Sequence, residues 1–386
     1  MPEKVRPRKR AGEPMMRRLV LLGGGHAHVH VLASAAQRAL GGVELVLVSP
    51  FERHHYSGMV PGFLQGTYAE AELAFDLGAL AARAGARFVQ APAESIDVAA
   101  RTVDVAGERL GFDLLSLDIG SEAAGLDTPG VREHASTIRP MNQAAALRRR
   151  AEEIFGAGRR RSSRLVVVGG GAAGLEVALA LERLGHDLGN RPKVTIVEAA
   201  SSVLPEFSKS VRRIAARVLA KRGIATRLGR QVVAVEAEAV TLDDSSREPS
   251  DLTVWLAGAA APRLLSRSDL PRDDRGYLLV DDTLRAIDGA PVYGAGDCIG
   301  IASYPGLAKA GVYAVRESPV LDHNLRAALA CGPPLRYRPQ ETFLALLNTA
   351  DGRAVWRWHG RAGRSRLACW TKDRIDRAFV RRYQAA

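Results

Sequence analysis

The residues of this chain that are best suited to bind a ligand lie in glycine-rich turns. Gly23, Gly24 and Gly25 follow the apolar run Leu19–Leu22, and a helix-like stretch comes next. An apolar strand, a glycine turn and a helix start together predict a diphosphate site. The glycines let the backbone approach the ligand, and the helix N–H groups and dipole favour negative charge. Because His28 stands in place of the usual third glycine, this motif alone does not define a dinucleotide site.

The same unit recurs later in a complete form. Leu165–Val168 predicts a strand, and the loop after it reads Gly169-x-Gly171-x-x-Gly174. The next strand ends on Glu198, close to the roughly 20 residues past the glycines at which a ribose-binding acid is expected. A carboxylate there can accept both ribose hydroxyls and would repel a 2′-phosphate. The sequence therefore predicts a site that prefers NADH over NADPH, and the alternative is an ordinary βαβ unit with a surface glutamate.

A third glycine motif completes the first unit. A short predicted strand ends at Tyr293, and the turn after it contains Gly296 and Asp297. A carboxylate beside a cluster of backbone N–H groups suits a sugar-alcohol hydroxyl close to a diphosphate. Lys309 comes just before a long predicted helix, Ala310–Leu329.

Other strand ends resemble those of a dinucleotide site, with one exception. Phe112–Ile119 runs into Gly120, and Leu252–Ala257 runs into Gly258. The second strand ends on Ser49, where an acidic residue is usual. A serine hydroxyl can still bond a ribose hydroxyl, but it supplies no charge.

The stretch Pro50–Tyr68 is rich in glycine, proline and aromatic residues and is too long for a simple connector. It is predicted to be a loop that wraps a ligand. Pro61 and Gly62 would let the backbone lie flat against a planar ring. His54 and His55 are interpreted as loop or surface residues rather than catalysts.

Length and composition favour a soluble globular protein. The 386 residues allow two or three domains, and 47% are hydrophobic. No apolar run approaches the roughly 20 residues of a membrane span, and no secretory signal is visible. Residues 1–15 are expected to be disordered, with Met1, Met15 and Met16 as candidate starts. The three cysteines, Cys298, Cys331 and Cys369, lie far apart, so a cytoplasmic location is expected and no metal site is predicted.

The net charge of +12 is concentrated at the two ends of the chain. A basic C-terminal end favours an acidic partner, with a phospholipid surface or nucleic acid as candidates, and a solvated arginine-rich surface as the alternative. Since no basic motif is interleaved with aromatic residues, nucleic acid binding is not expected.

The C-terminal segment predicts a hairpin followed by a basic amphipathic helix. The hairpin pairs Phe343–Leu347 with Ala354–His359, and the helix spans Asp373–Tyr383. This helix is expected to pack on its own domain or on a homodimer partner, or to dock on a membrane surface. Three apolar residues share one stripe of the helix: Ile375, Phe379 and Tyr383.

Together these motifs resemble the FAD/NAD(P)H reductases of the pyridine nucleotide–disulfide oxidoreductase superfamily. The chain is similar to type II NADH dehydrogenases, sulfide:quinone oxidoreductases and apoptosis-inducing-factor-like proteins. More closely, GGGHAHVHVL, YSGMVPGFLQGTY, LLSLDIGS, IRPMN, YGAGDC, KAGVYAVRESPVL and WTKDRIDRAF resemble the branch often fused to selenide, water dikinase. The resemblance runs from about Met16 to the C-terminus.

The resemblance implies an α/β fold with two Rossmann-like dinucleotide-binding domains and a small C-terminal α+β segment. The FAD-binding domain would comprise residues 16–140 and 260–334, and the NAD(P)H-binding domain residues 141–259. Residues 335–386 would form the C-terminal segment.

The resemblance also implies roles for individual residues. Lys309, with Ala310 and Gly311, matches a segment that lies against the flavin ring in sulfide:quinone oxidoreductases. A lysine and a helix start there would stabilise the negative charge of reduced flavin. Glu176 matches a glutamate that helps hold the nicotinamide end, and it is expected to be catalytic with Lys309. The residues assigned to FAD are Gly23, Gly24, Gly25, His26, His28, Ser49, Pro61, Gly120, Asp297, Lys309 and Ala310, and those assigned to NADH are Gly169, Gly171, Gly174, Glu176, Glu198 and Gly258.

The implied activity is hydride transfer from NADH to flavin, followed by electron transfer to a quinone-like acceptor. No cysteine precedes Cys298, which excludes the paired cysteines that disulfide reductases place beside the flavin. Cys298 is interpreted as a packing residue, and Cys369 as a redox thiol is an open alternative. An oxidoreductase linked to selenium metabolism and a slow-turnover NADH-binding redox sensor are competing interpretations of the same motifs. Peripheral attachment to the inner face of the membrane would accompany a quinone acceptor.

Overall fold

The computed structural model describes residues 16–156 and 162–384. The expected disorder of residues 1–15 lies outside the described residues. The helices are α1 (His26–Gln37), α2 (Val60–Leu64), α3 (Glu70–Leu73), α4 (Leu77–Arg83), α5 (Val131–His134), α6 (Gln143–Gly156), α7 (Ala172–Asp187), α8 (Lys209–Lys221), α9 (Arg263–Ser266), α10 (Gly311–Ala330) and α11 (Arg366–Gln384).

The strands, in chain order, are β1 (Arg17–Leu22), β2 (Val43–Val48), β3 (Arg53–His55), β4 (Ala74–Asp76), β5 (Arg87–Val89), β6 (Ala93–Asp97), β7 (Thr102–Val105), β8 (Glu108–Gly111), β9 (Leu114–Leu117), β10 (Glu122–Ala123), β11 (Ala135–Ser136), β12 (Arg164–Val168), β13 (Lys193–Glu198), β14 (Ala225–Leu228), β15 (Val232–Val235), β16 (Ala239–Leu242), β17 (Arg247–Pro249), β18 (Leu252–Trp255), β19 (Ala259–Ala260), β20 (Leu278–Val280), β21 (Val292–Gly294), β22 (Ile299–Ile301), β23 (Ala345–Asn348), β24 (Ala354–Trp358) and β25 (Arg361–Ser365).

The first glycine unit and the Gly-Asp motif belong to one parallel sheet, with strand order β21-β9-β1-β2-β5. Leu19–Leu22 is fully buried at its centre, as expected for a strand covered by helices on both faces. Helix α1 packs against α10 and α4. The carboxyl ends of parallel strands meet at one edge of a sheet. The turns at Gly23, Gly120 and Gly296 therefore converge there.

The second glycine unit forms another parallel sheet, with strand order β11-β18-β12-β13-β14. Helix α7 packs on β12, on β13 and on α6. The sequence-based expectation of two Rossmann-like α/β units is confirmed.

The prediction of a loop over Pro50–Tyr68 is wrong. This stretch contains β3, a 3₁₀ turn at Ser57–Met59 and helix α2. Pro61 lies in the first turn of α2, where its missing N–H costs no hydrogen bond. Gly62 does lie against a planar ring, but the ring is Tyr68: a Cβ on Gly62 would come within 2.3 Å of it.

The C-terminal segment is an antiparallel three-stranded sheet, β23-β24-β25, followed by α11. The predicted hairpin is present, but β25 was not predicted, and α11 begins well before Asp373. Two charged residues on the buried face of α11, Lys372 and Asp376, hide its periodicity from a hydrophobicity pattern. The helix packs against β4, α1, β23 and β24 of its own chain. The predicted apolar stripe of this helix does not lie on one buried face, because Tyr383 is buried while Ile375 is exposed.

None of the helices in the described part of the chain has the combination of length and apolarity that crossing a bilayer requires.

Candidate cofactor cleft and the polar network beside it

A cleft of about 340 Å³ opens at the carboxyl edge of the first sheet. The first glycine loop and the Gly120 turn line it together with Asp297 and Lys309. The loop contributes Gly23, Gly24 and Gly25, and the remaining predicted FAD residues that line the cleft are His26, Ser49 and Ala310. The structure therefore brings together residues that lie almost 300 positions apart in sequence.

The backbone of the first loop fits closely against the end of β9. Gly23 adopts a left-handed φ of +89°, and a Cβ there would lie 2.3 Å from the carbonyl oxygen of Asp118. The Gly25 N–H donates to the same carbonyl oxygen at 3.1 Å. Helix α1 then begins at His26, so its N-terminus points into the cleft.

His28 is predicted to belong to the diphosphate loop, but it does not line the cleft. Its Nδ1–H donates to the Gly23 carbonyl at 2.6 Å, and its Nε2 accepts from the Ser116 hydroxyl at 2.8 Å. Burial lowers the pKa of His28 to about 4, so the ring is neutral. In the second loop, a Cβ on Gly174 would lie only 1.8 Å from the Gly169 carbonyl oxygen. A hydrogen bond from His28 thus replaces the close packing of a third glycine.

Asp118 is a site residue that sequence reasoning missed. Its Oδ2 accepts from the N–H groups of Ala27 at 2.7 Å and His28 at 3.1 Å. Burial raises its pKa to about 7, opposed by these two hydrogen bonds. The available signal was an acidic residue at the end of the apolar stretch LLSLDIGS, directly before a glycine turn.

Three further predictions need correction. Ser49 lines the cleft, but its hydroxyl donates to the Phe51 carbonyl at 3.0 Å, so it stabilises a turn. His54 and His55 line the cleft rather than the protein surface, because β3 pairs with β4. Pro61 is buried in α2 and is not among the cleft-lining residues.

Asp297 makes an ion pair that the sequence did not predict. Its Oδ2 accepts from Arg139 at 2.9 Å and from the Ser121 hydroxyl at 3.2 Å. Arg139 also lines the cleft and follows β11 of the second sheet. It brings a permanent positive charge to a site where a diphosphate is expected.

Lys309 lies in a wall shared by this cleft and a neighbouring cavity of about 370 Å³. Its ammonium donates to the Ile299 carbonyl and lies 3.9 Å from the centre of the Tyr277 ring. Burial lowers its pKa. Ala310 caps the N-terminus of α10, so the helix starts at the cleft as predicted.

The unpartnered polar atoms indicate what the cleft accepts. Buried polar atoms normally have hydrogen-bond partners. In the described part of the chain, His26 Nε2, His54 Nε2 and Asn142 Oδ1 are buried without one, and all three residues line this cleft. Gly120 has a φ of +70° and leaves open space where a Cβ would stand. The features of this cleft fit an FAD molecule. They are a glycine cradle, a helix N-terminus, an arginine and unpaired polar atoms.

The second glycine loop has its predicted glutamate in position. Glu198 Oε2 accepts from the Gly170 N–H at 2.5 Å, and Oε1 accepts from the Ala200 N–H at 2.7 Å. Gly171 is the N-cap of α7, and Gly258 has a φ of +115° with open space beside it. The glutamate therefore lies against the loop that would hold the NADH diphosphate.

Glu176 faces the C-terminal segment and does not line the cleft. Its Oε1 accepts from the Asn348 N–H at 2.7 Å, and burial raises its pKa to about 7 while Lys372 opposes the shift. Lys372 donates to Asp376 at 2.8 Å and to the Gly58 carbonyl at 2.7 Å. Burial alone would lower the pKa of Lys372, but Asp376 and Glu176 raise it. This polar network joins α7, α11 and the turn beside the cleft.

Two dinucleotide units and a flavin cleft define a nucleotide-dependent oxidoreductase. The chain belongs to the pyridine nucleotide-disulphide oxidoreductase family, whose family model matches residues 17–315.

Named relatives share most of this length. The chain is 30% identical over 298 residues to an NADH dehydrogenase-like protein of Mycobacterium tuberculosis, covering 73% of this chain and 72% of the relative. It is 27% identical over 347 residues to a demethylphylloquinone reductase of Synechocystis, covering 85% and 84%.

Solved structures show the same fold. The sulfide:quinone oxidoreductase of Aquifex aeolicus matches with a TM-score of 0.80 and 17% identity, over 96% of this chain and 92% of that one. NDH2 of Plasmodium falciparum in complex with NADH matches with a TM-score of 0.80 and 14% identity, over 96% and 98%.

Substituting Lys372 by Met should destabilise the protein by about 3 kcal/mol, because Asp376 would be left buried without its cation. The midpoint of urea-induced unfolding measures this change. The double variant K372M/D376N should recover part of the loss, while Lys193→Met, at an exposed strand start, should change stability by less than about 0.5 kcal/mol. A double variant less stable than K372M would contradict the pairing.

Proposed function

We propose that this protein is an FAD-dependent NADH dehydrogenase that passes electrons from NADH through bound flavin to a quinone. The observation that carries the proposal is the pairing, in one chain, of a flavin-type cleft with a second, complete glycine loop ending on Glu198. Relatives named NADH dehydrogenase-like protein and demethylphylloquinone reductase support the same donor and acceptor classes.

The chain's own residues would bind and orient the two nucleotides. The first glycine loop and Arg139 would hold the FAD diphosphate, and Asp297 a hydroxyl beside it. The second loop and Glu198 would hold NADH and disfavour NADPH. Lys309 and the start of α10 would place positive potential beside the ring. FAD, when bound, supplies the hydride-accepting and electron-transferring chemistry.

The cysteines support electron transfer without a redox disulfide. Cys298 is buried, its thiol donates to the Ala295 carbonyl at 3.2 Å, and burial raises its pKa to about 12. A thiol held in this way is a poor nucleophile. Cys331 and Cys369 are free, and the first is exposed.

We infer that residues 16–140 and 260–334 form the FAD-binding domain and residues 141–259 the NADH-binding domain. Their parallel sheets support this division, except that β11 (Ala135–Ser136), which falls in the first range, pairs with β18 of the second sheet. The segments GGGHAHVHVL and LLSLDIGS support the finer assignment to the branch related to selenide, water dikinase fusions.

Anaerobic rapid mixing with NADH tests the proposed function. NADH should bleach the flavin absorbance near about 450 nm, because hydride passes to the ring. Quinones should then restore the colour, and NADPH should bleach it more slowly. Recovery with selenium species or thiols but not quinones would contradict the quinone acceptor. Bleaching with no effective acceptor would indicate a redox sensor instead.

We further propose that the solvent-facing side of α11 contacts an acidic membrane surface. Leu367, Trp370 and Ile375 on this side are 68%, 57% and 49% exposed. The Arg374 guanidinium lies over the Trp370 ring at 5.2 Å. Exposed apolar side chains interleaved with arginines are typical of a helix that lies in the membrane interface.

Vesicle sedimentation tests this contact. Binding to vesicles with anionic lipid should exceed binding to zwitterionic vesicles and should weaken as salt rises. The double variant L367S/W370S should lose most of the binding without unfolding, because both side chains are exposed. Leu188→Ser, another exposed leucine, is the matched control. Equal binding by wild type and L367S/W370S would contradict the proposal.

A further inference from the structure

Two buried carboxyl groups lie at the cleft and at the cavity next to it, and the proposed function gives neither a role. Asp118 lines the cleft and Glu317 lines the neighbouring cavity. Asp118 is 3% exposed and Glu317, on α10, is 1% exposed. Asp118 accepts from the N–H groups of Ala27 and His28, and Glu317 Oε2 accepts from the Gly296 N–H at 2.6 Å. The two side chains therefore fasten the first glycine loop and the Gly296 turn.

The neighbouring glycines show how closely Asp118 fits. A Cβ on Gly25 would lie 2.2 Å from Asp118 Oδ1, and one on Gly296 would lie 2.9 Å from the same oxygen. Only glycine leaves room for the carboxyl group at these positions. Asp118 therefore lies directly against two backbone turns, and it lines the cleft together with them.

The surrounding elements supply little positive charge to this pair. Among the described residues, neither Asp118 nor Glu317 forms an ion pair, and the guanidinium of Arg139 is engaged by Asp297. Burial lowers the pKa of both nearby histidines to about 4, so they are neutral, and Lys309 is the cation that acts on Glu317. The titratable groups that face the pair are His26 and His28 on α1, Asp297 and Cys298 in the turn after β21, Lys309 before α10, and Tyr337 after α10.

A bound diphosphate would conflict with two ionised carboxylates in this place. Like charges repel strongly where water is excluded. Burial raises the pKa of Asp118 to about 7 and that of Glu317 to about 8 in the free protein. A dianion bound at the same loop would raise both pKa values further.

We propose that FAD binds to this chain together with a proton, which Asp118 and Glu317 hold against the first glycine loop and the Gly296 turn. The inference rests on the proposed function, which supplies FAD as the ligand. Asp118 and Glu317 are positioning residues, since they contact the backbone that carries the cofactor.

Proton linkage determines whether the affinity for FAD rises or falls with pH. A group whose pKa is higher in the complex than in the free protein takes up a proton on binding. FAD affinity is therefore greatest below the free-protein pKa values. It falls as pH rises through them.

Isothermal titration of FAD into the flavin-stripped full-length chain measures this directly. Titrations at about pH 7.5 should show net proton uptake when buffers of different ionisation enthalpy are compared. The dissociation constant should rise by up to about tenfold per pH unit above about pH 8. FAD binding with no proton uptake would overturn this inference alone, whereas failure to bind FAD at any pH would overturn the proposed function with it.

Two variants locate the proton. Asp118→Asn keeps an oxygen for the Ala27 and His28 N–H groups but cannot ionise, so it should flatten the pH dependence and bind FAD about tenfold more tightly than wild type near about pH 8.5. Glu317→Gln should act in the same direction. Asp113→Asn is the matched control, because Asp113 accepts from the Arg18 N–H at 2.7 Å at the other end of β9. A wild-type slope in both D118N and E317Q would overturn the assignment, and the wild-type proton count decides the question if D118N does not fold.

Discussion

The close approach of backbone to backbone at the carboxyl edges of two parallel sheets is the constraint on which this structure depends. In the second unit, the start of α7 touches the glycine loop so closely that Gly174 admits no side chain. In the first unit, His28 bonds the equivalent carbonyl oxygen and holds the loop at a similar place. Two different contacts therefore have the same result: each helix N-terminus is held close against its glycine loop.

Polar contacts then join the two units and the C-terminal segment. Arg139, beside the second sheet, pairs with Asp297 of the first. Lys372 on α11 bonds Gly58 beside the cleft and acts on Glu176 of α7. The C-terminal helix thus contacts the turn beside the cleft, while its opposite side remains exposed. A contact made by that exposed side lies about one helix diameter from the turn beside the cleft.

The sequence predicted the elements whose signals are local. Apolar strands, glycine spacing and the acid at Glu198 depend on neighbours within a few tens of residues, and each lies where expected. The sequence did not predict contacts between distant elements. The sequence alone predicts that His54 and His55 are loop or surface residues, because nothing local shows that β3 pairs with β4. Asp118 reaches the start of α1 only because β9 pairs with β1. Arg139 reaches Asp297 only because the ends of β11 and β21 lie close together in the fold. The contacts of both residues therefore depend on the fold.

The central claim is that two glycine-loop units hold a flavin and a nicotinamide together so that electrons pass without a thiol. The direct measurement is the anaerobic rate of flavin bleaching by NADH in the variant C298A/C331S/C369S. We predict a flavin-containing protein reduced at a rate within about twofold of wild type, since no cysteine takes part in hydride transfer. A folded, flavin-loaded variant that NADH cannot reduce would contradict this claim.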